Sequence, residues 1–214
     1  MATSGVATFN MAFTEIAEEA WERAGREMRS GYDLRTARRS MNLLTLEWAN
    51  RGVNLWTIEQ GTQALTSGTA EYTLPADTMD LLDYGIRTGS GATQQDVLIG
   101  RMDTSEYAGI PNKNVTGRPN RIRIDRQIAA PIITLWPVPD TNDYTLIYWR
   151  VRRIEDPGNG VETADTPARF LPALVAGLAH KLAEKDPALA GRVQALQLEA
   201  EKTFDMAAQE DREK

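Results

Sequence analysis

The sequence predicts an α+β fold: a helical bundle formed by the N- and C-terminal helices, with an inserted antiparallel β lobe. Three observations carry that expectation. Apolar residues recur at helical spacing from Met11 to about Asn50, alternate along the chain from Trp56 to about Ile154, and return to helical spacing after Thr166. The expected domains are residues 1–55 for the first helices, 56–165 for the β lobe, and 166–214 for the last helices and a charged tail.

Residues 1–8 are small and polar, a segment expected to order only on binding. A first helix is expected from about Met11 to Met28, with Phe13, Ile16, Ala17, Ala20, Ala24 and Met28 on one face and Glu15, Glu18, Glu19 and Glu22 on the other. The turn SGYD follows, and Asp33 reads as the N-cap of a second helix that runs to Asn50, where Gly52 gives the stop signal.

In the second helix Leu34, Ala37, Met41, Leu44 and Trp48 fall in one narrow sector at about 100° per residue. Leu43 and Leu46 lie well away from it, and Arg35, Arg38, Arg39 and Asn42 come between. A helix in a small monomer buries one stripe, so apolar residues on a second side call for a further partner, and another subunit is the natural one.

Strands are expected near 57–65, 71–74, 80–87, 120–125, 131–136 and 143–153, with a short helix capped by Asp103 and a polar loop from Gly109 to Pro119. Short connections favour antiparallel pairing. After the linker 156–165, Thr166-Pro167 opens a helix that Pro172 bends or restarts, and PALVAGLAHKLAEK is apolar nearly all round, as befits a central helix. Pro187 opens the last helix, with Leu189, Val193, Leu196, Ala200, Phe204 and Ala207 aligned at near-heptad spacing before the charged end QEDREK.

Composition is that of a folded globular chain, 42% apolar and 25% charged. The absence of cysteine removes disulfides, thiolate metal sites and thiol nucleophiles, and points to a reducing compartment or assembly inside a cell. The start MATSGVATFN has neither the basic nor the apolar part of a secretion signal, and no run approaches a membrane span, so a soluble, non-exported chain is expected. A net charge of −6 opposes general attraction to nucleic acid.

Chemical motifs are few. His180 is the sole histidine and falls on the central helix, with no G-x-S-x-G nucleophile motif to serve, so it reads as structural. Asp77, Asp80 and Asp83 offer carboxylates for acid–base work or a hard cation, but LPADT is a turn entering a strand, which favours solvated turn and strand-edge residues. No phosphate-binding glycine loop is present. Arg118, Arg121, Arg123 and Arg126 form a basic patch that would join Arg150, Arg152 and Arg153 if their strands pair; the plainer reading is a solvated face cross-paired with Asp125, Asp143 and Glu155. Ten basic against fifteen acidic residues across 57–165 make an acidic protein partner a better match for that patch than DNA. Trp48, Trp56, Trp136, Tyr144, Tyr148 and Trp149 read as core or interface.

The order FTEIAEEAWERAG, ARRSMNLLTLEWANRGVNLWTIE, EYTLPADTMDLLDYGIR, NKNVTGRPN, ITLWPVPD, IYWRVRRIEDP and TPARFLPALVAGLAHKLAEK resembles the head-to-tail adaptor (connector) proteins of tailed bacteriophages, over almost the whole chain. The resemblance implies a structural virion protein, assembled in the host cytoplasm, with no enzymatic activity, no cofactor or metal, and no membrane contact. It implies a homo-oligomer, a twelve-membered ring beneath the portal protein that meets tail or nozzle proteins and lets DNA pass without specific binding. Arg35, Arg39, Leu43 and Leu46 are then candidate ring contacts, and Asp205, Met206, Arg212 and Lys214 candidate portal-docking residues. Glu15, Glu18, Glu19 and Glu22 are a candidate lining, since a negative wall lets DNA slide; Arg118, Arg121, Arg123 and Arg126 are a candidate patch for an acidic partner. Two other classes compete: a carboxylate hydrolase using Asp77, Asp80 and Asp83, and a nucleic-acid module using the arginine patch.

Overall fold

Helix α1 (Phe13–Ala24) starts where Glu15 Oε2 accepts a hydrogen bond from the Ala12 backbone N–H at 2.8 Å. It stops at Ala24, four residues short of the expected end, because Gly25 takes the left-handed conformation at φ 103° and its N–H bonds back to Trp21 and Glu22. The computed structural model describes residues 9–52, 55–158 and 160–210.

Helix α2 (Gly31–Asn50) is capped by Ser30, not by Asp33 as the sequence suggests. Asp33 lies inside the first turn, where its carboxylate accepts from the backbone N–H groups of Arg29 (3.1 Å) and Ser30 (3.2 Å), while Ser30 Oγ accepts from the Asp33 N–H. These contacts, the Arg29 N–H foremost, hold the Asp33 carboxyl below its ordinary pKa range despite its burial.

Eight strands follow: β1 (Ile58–Ala64), β2 (Glu71–Thr73), β3 (Thr78–Thr88), β4 (Gln95–Leu98), β5 (Gly100–Arg101), β6 (Arg121–Asp125), β7 (Ile132–Trp136) and β8 (Thr145–Arg152). They form two four-stranded sheets, ordered β1-β8-β3-β4 and β2-β7-β6-β5. All pairs run antiparallel except β5 with β6, which is parallel, a departure from the all-antiparallel expectation confined to two residues of β5. Helix α3 (Thr104–Ala108) follows β5, its first turn closed by Asp103 accepting from the Glu106 N–H. Leu81, Ile86, Leu146 and Tyr148 from the first sheet and Ile122, Ile133 and Leu135 from the second share one core.

The chain returns to helix through a 3-10 turn at Ala168–Phe170 and α4 (Leu171–Ala183), with Pro172 tolerated in the first helical turn, where a missing N–H costs nothing. A second 3-10 turn at Pro187–Arg192 leads into α5 (Val193–Glu210). Almost every residue of α4 is buried, as its apolar circumference requires. Phe13, Ile16, Ala20 and Trp21 of α1, Met41, Leu44 and Trp48 of α2, and Leu196 and Phe204 of α5 pack in the same core as α4. Trp48 stands between Phe170 and Phe204, ring centroids 5.7 and 5.4 Å away.

By contacts the chain divides into two units: residues 1–56 with 154–214, and Thr57–Arg153. Trp56 belongs to the helical unit, where its Nε1 donates to the Asp165 carbonyl at 3.0 Å and its ring lies 4.8 Å from Phe170. The segment 154–165 falls in that unit too.

Candidate assembly interface

The two sides of α2 have different fates. Ala37, Met41, Leu44 and Trp48 are buried, whereas Tyr32, Leu43 and Leu46 are 63%, 57% and 52% exposed. At about 100° per residue, Tyr32, Arg35, Arg39, Leu43 and Leu46 share one stripe on the side of the helix opposite the core, so Arg35 and Arg39 lie within the second sector and only Arg38 and Asn42 fall between it and the core as expected. Scattered apolar residues on a surface need no explanation, but a continuous stripe of them interleaved with arginine has the composition of a protein contact.

The stripe has a supported edge. Asp156 accepts from Arg38 Nε at 2.9 Å and from Asn42 Nδ2 at 2.7 Å, so these two neighbours of the stripe are held back against the linker. Burial raises the pKa of Asp156, but the bonds from Arg38, the Gly158 N–H and Asn42 outweigh it and the net direction is down. A groove of about 500 Å³ is bounded by Tyr32, Arg35, Arg38, Arg39, Asn42 and Asp156. On the other flank Lys185 Nζ donates to Ser40 Oγ at 2.6 Å; burial and then the positive charge of Arg39 push the Lys185 pKa down. Arg35, Arg39 and Lys185 make this side of the helical unit basic.

The glutamates of α1 face away from its buried residues. They do not act alike: Glu15 closes the N-terminus, Glu19 pairs with Arg23 at 2.8 Å, and Glu18 and Glu22 stand exposed. Arg23 also reaches Glu199 of α5 at 3.4 Å.

The family model described as SU10 adaptor protein matches residues 11–214, essentially the whole chain. The chain belongs to the SU10 adaptor protein family. No curated protein sequence matches it. The adaptor is thus a structural component of a phage particle, in a family that is not a class of enzymes. Among the adaptor's described residues no helix is long and apolar enough to cross a membrane.

The other expected sites of the adaptor are dispersed. Asp205 and Met206 are exposed on α5, Met206 at 62%, whereas Arg212 and Lys214 lie outside the described residues. The arginine patch does not gather into one stripe. Arg121, Arg123 and Arg126 belong to β6 and its end, while Arg150 and Arg152 belong to β8 in the other sheet, so the two groups do not pair as neighbouring strands. Arg123 lies over the Tyr107 ring at 4.9 Å, Arg126 pairs with Asp80, Arg118 is directed at the Ile86 carbonyl at 3.5 Å, and Arg121 is exposed. The carboxylates that meet the arginines are also not the expected Asp125, Asp143 and Glu155: they are Asp80, Glu59 and Asp77.

Asp77, Asp80 and Asp83 do not converge. Asp77 is engaged by Arg150, Asp80 by Arg101 and Arg126, and Asp83 is exposed on β3. Among the described residues no group of three or more His, Cys, Asp or Glu is arranged to hold a metal ion. His180 sits on α4 with its Nε2 3.6 Å from Glu184. Two contributors escaped the sequence reading: Tyr32, one turn before Arg35 on the exposed stripe, and Asp156, whose role depends on a linker folding back onto α2. Tyr32 was recoverable from its spacing; Asp156 carried no local signal.

Proposed function

We propose that this adaptor is one subunit of a ring at the head-to-tail junction, lying beneath the portal protein and bridging it to tail or nozzle proteins, with DNA passing through the central channel. The observation that carries this reading is the exposure of Leu43 and Leu46 beside Arg35 and Arg39, on the side of α2 that its own core does not use. A closed ring needs a heterologous contact, in which each copy offers one surface to the left and a different one to the right. A helix with a second, exposed stripe supplies one of those surfaces. Twelve copies are expected from the resemblance.

In this reading Asp205 and Met206 of α5, together with Arg212 and Lys214, dock on the portal, and the β unit meets the tail components. Arg121, exposed on β6, is the arginine of its patch best placed for an acidic partner. No cofactor takes part. A chain of net charge −6 gives DNA little to bind and much to slide past. Mixing the purified chain with portal rings tests the proposal by co-sedimentation: the adaptor migrates with the portal as a ring of fixed copy number, and a chain that stays monomeric at all concentrations beside intact portal contradicts it.

A further inference from the structure

Helices α1 and α2 each lay one side in the core around α4 and turn a charged side away from it, and the two charged sides have opposite sign. Arg35 and Arg39 are four residues apart on α2, as are Glu18 and Glu22 on α1, so each pair is spaced by about 6 Å along its helix. All four are exposed, and none has a side chain of opposite charge within ion-pairing distance among the described residues. One copy leaves both stripes unanswered; a second copy presents the matching one.

We propose that the outer face of α2 on one copy docks antiparallel on the outer face of α1 of the next, with Arg35 against Glu22 and Arg39 against Glu18. The apolar residues choose the direction. Beyond Arg39 come Leu43 and Leu46; beyond Glu18, toward the start of α1, Phe9 is 67% exposed. Phe9 and Met11 there line an open groove of about 350 Å³ together with Leu171, Pro172 and Val175, with the Glu19–Arg23 pair also on its wall. Antiparallel docking carries Leu46 toward Met11 and the exposed Phe9, whereas parallel docking would set Leu43 against Gly25 and Arg26. The charged pairs set register and partner choice, and the leucines supply the desolvated centre.

This inference rests on the ring reading and deepens it, since the contact joins two different surfaces and so propagates from copy to copy. It also places Glu18 and Glu22 between subunits and not on the channel wall.

The chain has no cysteine, so introduced thiols report without background. The double variant Glu18→Cys with Arg39→Cys, oxidised alone and after assembly on portal rings, is expected to give a ladder of covalent multimers. Each single variant gives none, and a mixture of the two singles stops at dimers. Rings visible by electron microscopy with no ladder overturn the α1–α2 contact while leaving the ring standing; cross-links from position 39 to portal alone do the same. Loss of rings in the unmodified chain overturns both readings. Charge reversal gives an independent arm. The variant Arg35→Glu with Arg39→Glu, and the variant Glu18→Arg with Glu22→Arg, should each self-associate at least about tenfold more weakly. Their equimolar mixture should recover, because every mixed contact again pairs opposite charges; a mixture as weak as its components contradicts the proposal.

Discussion

Arg150 and Glu59 stand directly opposite each other across the β8–β1 pair, joined at 2.9 Å from Nη2 to Oε2, while the other guanidinium nitrogen of Arg150 holds Asp77 at 2.6 Å. One side chain, 13% exposed, thus ties β8 to β1 on one side and to the turn before β3 on the other. Arg152 adds a second bond to Glu59 at 2.6 Å. Replacing Arg150 by alanine leaves two half-exposed carboxylates without it, and the β unit should lose about 1–2 kcal/mol by urea titration.

The same cluster sets an acid response. The Arg152 hydrogen bond, opposed by desolvation and joined by Arg150, holds the Glu59 carboxyl below its ordinary range, and Arg150 does the same for Asp77. A carboxylate depressed in the folded state contributes stability that is complete above its unfolded value, about 4, and is lost as pH falls through the lower folded value. Amide exchange of β8, corrected for the intrinsic pH dependence of exchange, should therefore accelerate below about pH 4. In Glu59→Gln with Asp77→Asn that acid-specific acceleration should shrink, whatever the variant's stability at neutral pH.

Gly61 of β1 lies under the Tyr148 ring: a β-carbon there would meet the ring carbons and stand 2.6 Å from the hydroxyl oxygen. A flat ring packed in the core has no soft end to move aside. Gly61→Ala should destabilise the β unit by about 1–3 kcal/mol through overpacking, read as a lower urea midpoint with unchanged slope. Gln60→Ala, one residue earlier and exposed, serves as the neutral control.

Trp48 is 3% exposed and contacts the rings of Phe170 and Phe204. Trp48→Ala should cost the helical unit about 3–5 kcal/mol. By contrast Leu43→Ala with Leu46→Ala should change the stability of the isolated chain by no more than about 1 kcal/mol, because both side chains are more than half exposed and alanine keeps the helix propensity. Their effect belongs to assembly, so the same variant should fail to form rings while melting like the parent.

Periodic segments were legible in the sequence. The core stripe of α2, the all-round apolarity of α4 and six of the eight strands (β1, β2, β3, β6, β7 and β8) all follow from spacing that tertiary packing then respects. Strands β4 and β5 escaped because every residue of both is exposed, leaving no alternation to read. The end of α1 is not legible because nothing local distinguishes Gly25, followed by Arg26, as a left-handed cap from a glycine inside the helix. Whether the arginines of β6 and β8 join is not legible, because sequence proximity does not tell which strands pair: β6 and β8 belong to different sheets, and Asp80 reaches Arg126 from 46 residues away. At the candidate interface, Leu43 and Leu46 were visible as leucines off the core stripe; the carboxylate that organises its edge was not.

The account stands most directly on the surroundings of Leu43 and Leu46 in the assembled particle. Electron microscopy of the head-to-tail junction at side-chain resolution is predicted to show both leucines covered by a neighbouring copy, with Arg35 and Arg39 facing that copy's carboxylates. Leucines open to solvent in the finished junction, with neighbours meeting elsewhere, would contradict it.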